Sequence, residues 1–193
     1  MIYLASRSPR RRALLDQLCV RFEILDVAIE ESARGGETPD ALVRRLAASK
    51  AEAGRACLDD SGRHLLLGAD TIVVIDDEVL GKPHDAADAR QMLMRLSGRC
   101  HEVLSAVALI SVDGIGVRSS RSRVCFRELA HEECEAYAAT GEPLDKAGAY
   151  GIQGRAAAFI SDLRGSYSGV VGLPLYETAE LLTEAGVALF ADD

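Results

Sequence analysis

The feature that most constrains the fold is an apolar stretch with one carboxylate inside it. Residues 65–75 read LLLGADTIVVI, a run of aliphatic, β-forming side chains that Asp70 interrupts. An ionised carboxylate inside an apolar sheet is costly unless it is compensated. We therefore expect Asp70 to lie at a strand end or in a cleft, or to be paired with a cation or a metal ion. Gly68 and Ala69 leave room for a ligand or another backbone beside it.

A lysine follows this stretch on a turn bounded by glycine and proline. The segment Leu80-Gly81-Lys82-Pro83 could bring a counter-charge to the neighbourhood of Asp70. The alternative is an ordinary strand–turn–strand in which backbone amides satisfy the carboxylate. This region by itself leaves both interpretations open.

The N-terminal residues predict a short buried strand and then a helix with an unusual charge. Residues 2–5 predict the strand, and Ser8-Pro9 predicts the N-cap and first position of the helix. Four arginines crowd this helix start: Arg7, Arg10, Arg11 and Arg12. They repel one another and the helix dipole unless an anion lies among them, so the helix start predicts a phosphate-binding site. The alternative is a solvated basic first turn.

Two acids and a lysine flank the second predicted helix. Glu30 and Glu31 begin a polar loop after a predicted strand at residues 22–25. Adjacent side chains rarely point the same way, so at most one of these acids should face a site, where it could bind a metal. An exposed acidic loop is the alternative. Thr38-Pro39 predicts the helix start, and Lys50 near the edge of its apolar stripe indicates, by itself, a surface lysine.

The rest of the chain predicts a mixed α/β sheet. Asp85 predicts a helix N-cap, and Asp113-Gly114 predicts a hairpin that adds antiparallel strands. Strands alternating with helices then indicate the α/β class. Residues 145–154 form a glycine-rich polar loop in which Gln153 suits a nucleotide base edge or a sugar. A solvated glutamine in a turn is the alternative.

Charge and cysteine content limit the partners and the compartment. A net charge of −8 argues against nucleic-acid polymers and anionic membranes, because both reward a broad basic face. The five cysteines are far apart and form no CxxC motif, so we expect reduced thiols that fill the core of a cytoplasmic protein. No apolar run is long enough to span a bilayer, and the N-terminus lacks a signal peptide's layout. The four histidines lack metal-ligand spacing, so we expect them in loops or on the surface.

Several segments together resemble the Maf family of nucleotide pyrophosphatases, historically called septum formation inhibitors. They are LASRSPRR at 4–11 with Leu14-Leu15, RLA at 45–47 with Lys50-Ala51, GADT at 68–71, GKP at 81–83, LSGR at 96–99 with His101, DKAGAYGIQG at 145–154 and GLP at 172–174. One such segment would be weak evidence. So many segments in the family's order, over nearly the whole chain, make the resemblance specific.

The resemblance implies a fold and an activity. The fold is a single Maf-like domain over residues 1–193, with a mixed central β-sheet flanked by helices and a cleft between two lobes, like the inosine-triphosphatase-type pyrophosphatases. The activity is hydrolysis of a nucleoside triphosphate to the monophosphate and pyrophosphate, dependent on a divalent metal, Mg²⁺ or Mn²⁺. The family also implies a homodimer.

The resemblance also assigns roles to single residues. Asp70 matches the catalytic base, and Glu31 matches an acidic position near the metal. The phosphate-side positions are Ser8, Arg11, Lys50 and Lys82. One departure is Arg7, because the family usually has a smaller or uncharged residue there.

Three positions separate the substrate groups of the family, and here they are Arg10, Thr71 and Gln153. This set resembles the dTTP/UTP group, whereas the 7-methyl-GTP group resembles Trp, Gln and Glu at the same places. The predicted function is therefore pyrophosphatase action on dTTP and UTP, with modified pyrimidine nucleotides as further substrates. The alternatives are a 7-methyl-GTP pyrophosphatase and a non-catalytic nucleotide-binding regulator of septum formation. A carboxylate beside a set of cations favours an enzyme, because a mere binder gains nothing from a carboxylate near phosphates.

Overall fold

A computed structural model describes residues 1–58 and 64–190 of the chain. The strands and α-helices follow in this order: β1 Ile2–Ala5, α1 Pro9–Asp16, β2 Phe22–Leu25, α2 Pro39–Ala56, β3 Leu65–Ile75, β4 Glu78–Leu80, α3 Ala86–Leu96, β5 Cys100–Ser111, β6 Gly114–Phe126, α4 His131–Ala138, β7 Ile160–Arg164, α5 Tyr167–Val171 and α6 Leu175–Glu184. Short 3₁₀ helices at Glu142–Asp145, Ala147–Ala149 and Arg155–Phe159 lie between α4 and β7.

The strands of these described ranges form one seven-stranded mixed sheet. Its order is β2-β1-β3-β5-β6-β7, with β4 beside β3. Strand β1 runs parallel to β2 and β3, whereas β4 is antiparallel to β3 and β7 is antiparallel to β6. The predicted mixed α/β sheet flanked by helices is therefore confirmed. No helix in the described ranges combines the length and the apolar character that crossing a bilayer requires.

The chain divides into two compact units. The first comprises Met1–Asp70, Ser105–Ser120 and Gly172–Asp193, and the second comprises Thr71–Leu104 and Arg121–Val171. Each unit therefore combines segments that are distant in sequence. The single domain over 1–193 and the cleft between its lobes stay predictions.

The helix starts of the first unit follow their local sequence signals. Ser8 is the N-cap of α1, where its Oγ accepts a hydrogen bond from the backbone N–H of Arg11 at 3.4 Å. Thr38 caps α2 in the same way through the N–H of Ala41 at 3.3 Å. A proline occupies the first turn of both helices, and its missing N–H costs nothing there. Both predicted helix starts are thus confirmed.

Helix α2 packs unusually close to strand β3 at Gly68. A Cβ on this glycine would lie 2.3 Å from the carbonyl oxygen of Ala47 and 2.5 Å from the backbone nitrogen of Ala51. Both obstacles are backbone atoms, so no side-chain rotation can relieve the clash. Gly68 therefore sets the distance between the helix and the strand.

The second unit has an apolar core that includes an aromatic cluster. His101 on β5 and Phe126 on β6 meet edge-on at 5.2 Å between ring centroids, and Tyr150 lies 4.9 Å from Phe126 in the same manner. The Nε2 atom of His101 is 2.7 Å from the Tyr150 hydroxyl. His101 is only 3 % exposed, so the expectation that it lies in a loop or on the surface is wrong.

The expectation of five reduced, core-filling cysteines is also wrong. Cys100 on β5 and Cys125 on β6 form a disulfide, and Cys19 and Cys57 are exposed. Cys134 alone among the three free thiols is buried. The error arose because spacing along the chain does not show which residues of neighbouring strands lie opposite one another.

Substituting Gly68 by alanine should destabilise the protein by about 1–3 kcal/mol or more, because the added methyl group cannot avoid the α2 backbone. Urea unfolding followed by circular dichroism measures the change. Gly81→Ala is the matched control, since nothing lies within 4 Å of a Cβ at that position. Equal stability of the two variants would contradict the close packing of α2 on β3.

Stability should depend on pH through His101. Burial lowers its pKa from 6.5 to about 4, so between these values the unfolded chain binds a proton that the folded protein does not. The free energy of unfolding should therefore fall by about 3 kcal/mol as the pH drops from about 7 to about 4. Below the folded-state pKa of about 4 the contribution of His101 should stay constant. Urea titrations across this range should show a smaller loss for His101→Phe. The same loss in the variant and the parent would contradict a buried neutral imidazole.

Candidate active site

Asp70 lies in the interior of strand β3 and is only 6 % exposed. Its Oδ1 accepts a hydrogen bond from Nζ of Lys50 at 2.6 Å. Its backbone carbonyl oxygen accepts a second one from Oγ of Ser105 at 3.2 Å. The strand continues unbroken through Asp70, so of the predicted alternatives the structure confirms pairing with a cation.

Lys50 forms ion pairs with two carboxylates at once. Its Nζ lies 2.6 Å from Oδ1 of Asp70 and 2.6 Å from Oε1 of Glu31. The side chain of Lys50 is 12 % exposed and that of Glu31 is 50 % exposed. Lys50 therefore links the buried carboxylate of Asp70 to the solvent-facing carboxylate of Glu31. Lys50 is not the surface lysine that its position on the helix indicated by itself.

The neighbouring acid Glu30 points elsewhere. Its carboxylate accepts hydrogen bonds from the backbone N–H of Ser32, at 3.1 Å, and from the Ser32 hydroxyl. These bonds lower the pKa of Glu30, the side-chain bond most strongly. Only Glu31 of the two consecutive acids reaches Lys50, as expected for adjacent side chains.

An arginine–glutamate pair holds the loop that carries Glu31. Arg45 on α2 donates to both oxygens of Glu37, at 2.6 and 2.7 Å, and to the carbonyl oxygen of Ser32 at 3.0 Å. Hydrogen bonds from Arg45 and from the backbone of Arg34 lower the pKa of Glu37 to about 2. The residue that follows Glu31 is thus tied to the same helix that carries Lys50.

Arg11 is the arginine of the helix start that belongs to this site. Its Nε donates to the carbonyl oxygen of Gly172 at 2.8 Å, and its Nη1 donates to Oγ of Ser6 at 3.2 Å. Burial lowers the pKa of Arg11, the charge of Asp70 raises it, Arg10 lowers it and Glu31 raises it. The charges of both acids therefore act on the Arg11 guanidinium, which stays charged at neutral pH.

The other arginines of the helix start vary in exposure. Arg12 is exposed, and Arg10 is half-buried, as Arg11 is. Arg7 forms an ion pair with Asp26, with 3.0 Å between Nε and Oδ1, and both side chains are more than 60 % exposed. An ion pair as exposed as this contributes little to stability. Arg7 therefore points to the end of β2.

The structure brings six of the predicted site residues into the first unit. Five of them take part in the contacts described above. These residues are Ser8, Arg11, Glu31, Lys50 and Asp70, and contacts or charge effects connect all of them. Arg10, beside Arg11, belongs to the same unit.

The remaining predicted site residues belong to the second unit. Thr71 follows Asp70 in β3, Lys82 is exposed after β4, and Gln153 is exposed in a turn. Their position relative to the carboxylates stays a prediction.

Sequence reasoning missed three supporting groups of the site. Ser6 is buried, and its hydroxyl accepts hydrogen bonds from Arg11 and from the backbone N–H of Ser8. Ser105 and the carbonyl of Gly172 also bond to site residues. Ser6 could have been noticed as a polar residue at the exit of a buried strand. Ser105 acts through a long-range contact that leaves no local signal, whereas Gly172 begins the GLP segment of the family resemblance, which did not indicate its contact with Arg11.

The carboxylates of this site fit one mode of binding a divalent cation. Among residues 1–58 and 64–190, no group of three or more His, Cys, Asp or Glu side chains could hold a metal ion. Asp70 and Glu31 nevertheless meet at a single ammonium group. Mg²⁺ is commonly held by one or two carboxylates together with water and substrate phosphates, so the donor set fits an ion that arrives with a nucleotide.

Comparison with known proteins identifies the family. The profile described as "Maf-like protein" matches residues 1–185. The chain belongs to the Maf family. Curated members of this family are about half identical to it over almost their full length.

Three of these Maf relatives carry the name dTTP/UTP pyrophosphatase. The protein of Aromatoleum aromaticum is 51 % identical over 97 % of this chain and 97 % of its own length. The protein of Alkalilimnicola ehrlichii is 53 % identical, with 95 % and 92 % covered. The protein of Cupriavidus pinatubonensis is 52 % identical, with 95 % and 96 % covered.

Among solved structures, similarity extends to that of the Staphylococcus aureus Ham1 protein. The two share 13 % identity at a TM-score of 0.37, and the match covers 65 % of this chain and 71 % of the other.

Replacing Lys50 by methionine should destabilise this Maf protein by about 3 kcal/mol, because the buried Asp70 loses its counter-charge. Adding Asp70→Asn should recover part of the loss, with a coupling energy of about 1–3 kcal/mol. Urea unfolding of the four proteins measures this double-mutant cycle. Arg7→Met is the control, because it removes an exposed ion pair and should cost at most about 1 kcal/mol. Additive effects of the two substitutions would contradict the pair.

Proposed function

We propose that this Maf protein hydrolyses dTTP and UTP to the nucleoside monophosphate and pyrophosphate. The observation that carries the proposal is a buried carboxylate, Asp70, bonded to Lys50 and within the electrostatic reach of Arg11. The names of the close relatives support the choice of substrate.

The cations of the site suit the phosphate end of the substrate. A triphosphate is strongly anionic, and phosphoryl transfer depends mainly on positioning and charge stabilisation. Arg11 and Lys50 supply two positive charges, and the start of α1 adds backbone amides capped by Ser8. Lys82 is proposed as a further phosphate-side cation.

Asp70 is proposed to act as the general base. A water molecule attacks the α-phosphorus while its proton passes to the Asp70 carboxylate. The new P–O bond forms as the bond to the β-phosphate breaks, and pyrophosphate leaves with that bridging oxygen. A positioned base of this kind is worth about 10²–10⁴-fold in rate.

Glu31 is proposed as the acidic ligand of a divalent metal, Mg²⁺ or Mn²⁺, beside Asp70. When bound there, such an ion would offset the charge of the phosphates. The half-exposed Glu31 carboxylate faces the solvent from which a metal–nucleotide complex arrives.

The specificity positions are proposed to be Arg10, Thr71 and Gln153. The amide of Gln153 both donates and accepts, which matches the imide edge that thymine and uracil share. Its exposure in a turn leaves the amide accessible to a nucleotide.

A cytoplasmic location is proposed because nucleoside triphosphates are intracellular substrates. Because Cys100 and Cys125 form a disulfide, the cysteine content no longer supports a cytoplasmic location. The proposed location therefore depends on the substrate alone. The homodimer implied by the family remains a prediction.

Asp70→Asn should lower kcat for dTTP by about 10²–10⁴-fold with the fold retained, because the proton acceptor is lost. Pyrophosphate release measures turnover, and circular dichroism checks the fold. Asp113→Asn, at an exposed turn between β5 and β6, is the control and should leave kcat unchanged. A folded Asp70→Asn variant within a few-fold of the parent would contradict the base assignment.

The same assay on dTTP, UTP and 7-methyl-GTP, with and without Mg²⁺, tests the substrate and the metal. The parent should release pyrophosphate from dTTP and UTP only when Mg²⁺ is present. Preference for 7-methyl-GTP would favour the other substrate group. No release from any of the three would favour the non-catalytic regulator.

A further inference from the structure

The turn that carries Gln153 is closed by a backbone hydrogen bond. The N–H of Gly154 donates to the carbonyl oxygen of Gly151 at 3.0 Å. This bond between the first and fourth residues places Ile152 and Gln153 at the two central positions of a β-turn. The direction of the Gln153 side chain therefore depends on how the turn as a whole is held.

Glu142 holds one end of this turn. Its Oε1 accepts hydrogen bonds from the Tyr137 hydroxyl at 3.0 Å and from the backbone N–H of Arg155 at 3.2 Å. A Cβ on Gly154 would lie only 1.9 Å from the same Oε1 atom. The backbone of Gly154, with φ at −101°, is open to any residue, so a side chain at this position would be accommodated only if the Glu142 carboxylate moved.

Lys146 packs against the other end. Its Nζ donates to the backbone carbonyl oxygen of Glu142 and to Oδ1 of Asp145. A Cβ on Gly151 would lie 2.7 Å from Cε of Lys146. Both glycines of the turn thus pack directly on side chains of the Glu142–Lys146 segment.

Glu142 is partly shielded from solvent, and its carboxylate bonds to protein groups. Glu142 is half-buried, and its partner Tyr137 is buried. Burial and the bond to Glu142 raise the pKa of Tyr137, so the hydroxyl keeps its proton and remains a donor. Removing the carboxylate would leave that buried hydroxyl and the N–H of Arg155 without this acceptor.

We infer that Glu142 is a positioning residue for recognition of the nucleotide base. It fixes the turn Gly151–Gly154 and through it the amide of Gln153, so its loss weakens binding of a pyrimidine nucleotide without removing chemistry. The inference rests on the proposed function, in which Gln153 contacts the base.

A double-mutant cycle tests this role by steady-state pyrophosphate release. Glu142→Ala and Gln153→Ala should each raise KM for dTTP by about tenfold, the worth of about one well-placed hydrogen bond, with kcat within about twofold of the parent. Because Glu142 acts through Gln153, the double variant should show no further rise in KM. Glu142→Gln retains an acceptor oxygen and should restore much of the affinity.

Two further variants keep the test decisive. Glu135→Ala removes an exposed acid of the nearby helix α4 and should leave KM unchanged. Gly154→Ala should reproduce the rise in KM even if Glu142→Ala does not fold, because the new methyl group displaces the Glu142 carboxylate.

The outcomes separate this inference from the proposed function. A parent protein that releases pyrophosphate from neither dTTP nor UTP overturns the proposed function, and the inference falls with it. If the parent is active and the folded Glu142→Ala and Gly154→Ala variants have the same KM as the parent, only the inference about Glu142 is overturned. Additive rises in KM in the double variant would also overturn it, because they would show a general structural role.

Discussion

The ion pair between Lys50 and Asp70 is the interaction on which the candidate site depends. A carboxylate in the middle of a buried strand is tolerable only when a cation meets it there. Lys50 supplies that cation and shares it with Glu31. Because Glu31 is half exposed, one ammonium group joins a buried carboxylate to a carboxylate at the solvent-facing edge of the site.

The packing of helix α2 on strand β3 makes this pair possible. The backbone atoms that approach Gly68 belong to Ala47 and Ala51, which lie on either side of Lys50 along the helix. Gly68 itself stands two residues before Asp70 in the strand. The glycine therefore lets the helix come near enough for the lysine ammonium to reach the carboxylate. Fold and chemistry are linked at one residue that has no side chain.

Local signals in the sequence predicted the elements but not their partners. The caps at Ser8 and Thr38 involve neighbours three residues away, so the sequence alone shows them. The bond between Lys50 and Asp70 spans 20 residues, and the disulfide of Cys100 spans 25. Such contacts follow from strand order and register, which local periodicity does not encode. Lys50 was predicted as a site residue only through the family resemblance, which compares motifs from distant parts of the chain.

The same limit applies to the second unit. Glycine spacing predicted a polar loop around Gln153, but not that Glu142 would hold it through Arg155. His101 was misplaced because its burial comes from Phe126 and Tyr150, which lie far along the chain. In both cases the side chain's environment is set by tertiary packing rather than by its neighbours in sequence.

The most direct test of the account is a ¹⁵N–¹H spectrum of the lysine ammonium groups, of which the chain has only three, at Lys50, Lys82 and Lys146. We expect a Lys50 signal whose hydrogens exchange slowly with water, because two carboxylates hold the ammonium. The signal is assigned by its loss in Lys50→Met. Exposed Lys82 serves as the fast-exchanging reference. Exchange at Lys50 as fast as at Lys82, unchanged by Asp70→Asn, would contradict the ion pair at the centre of the site.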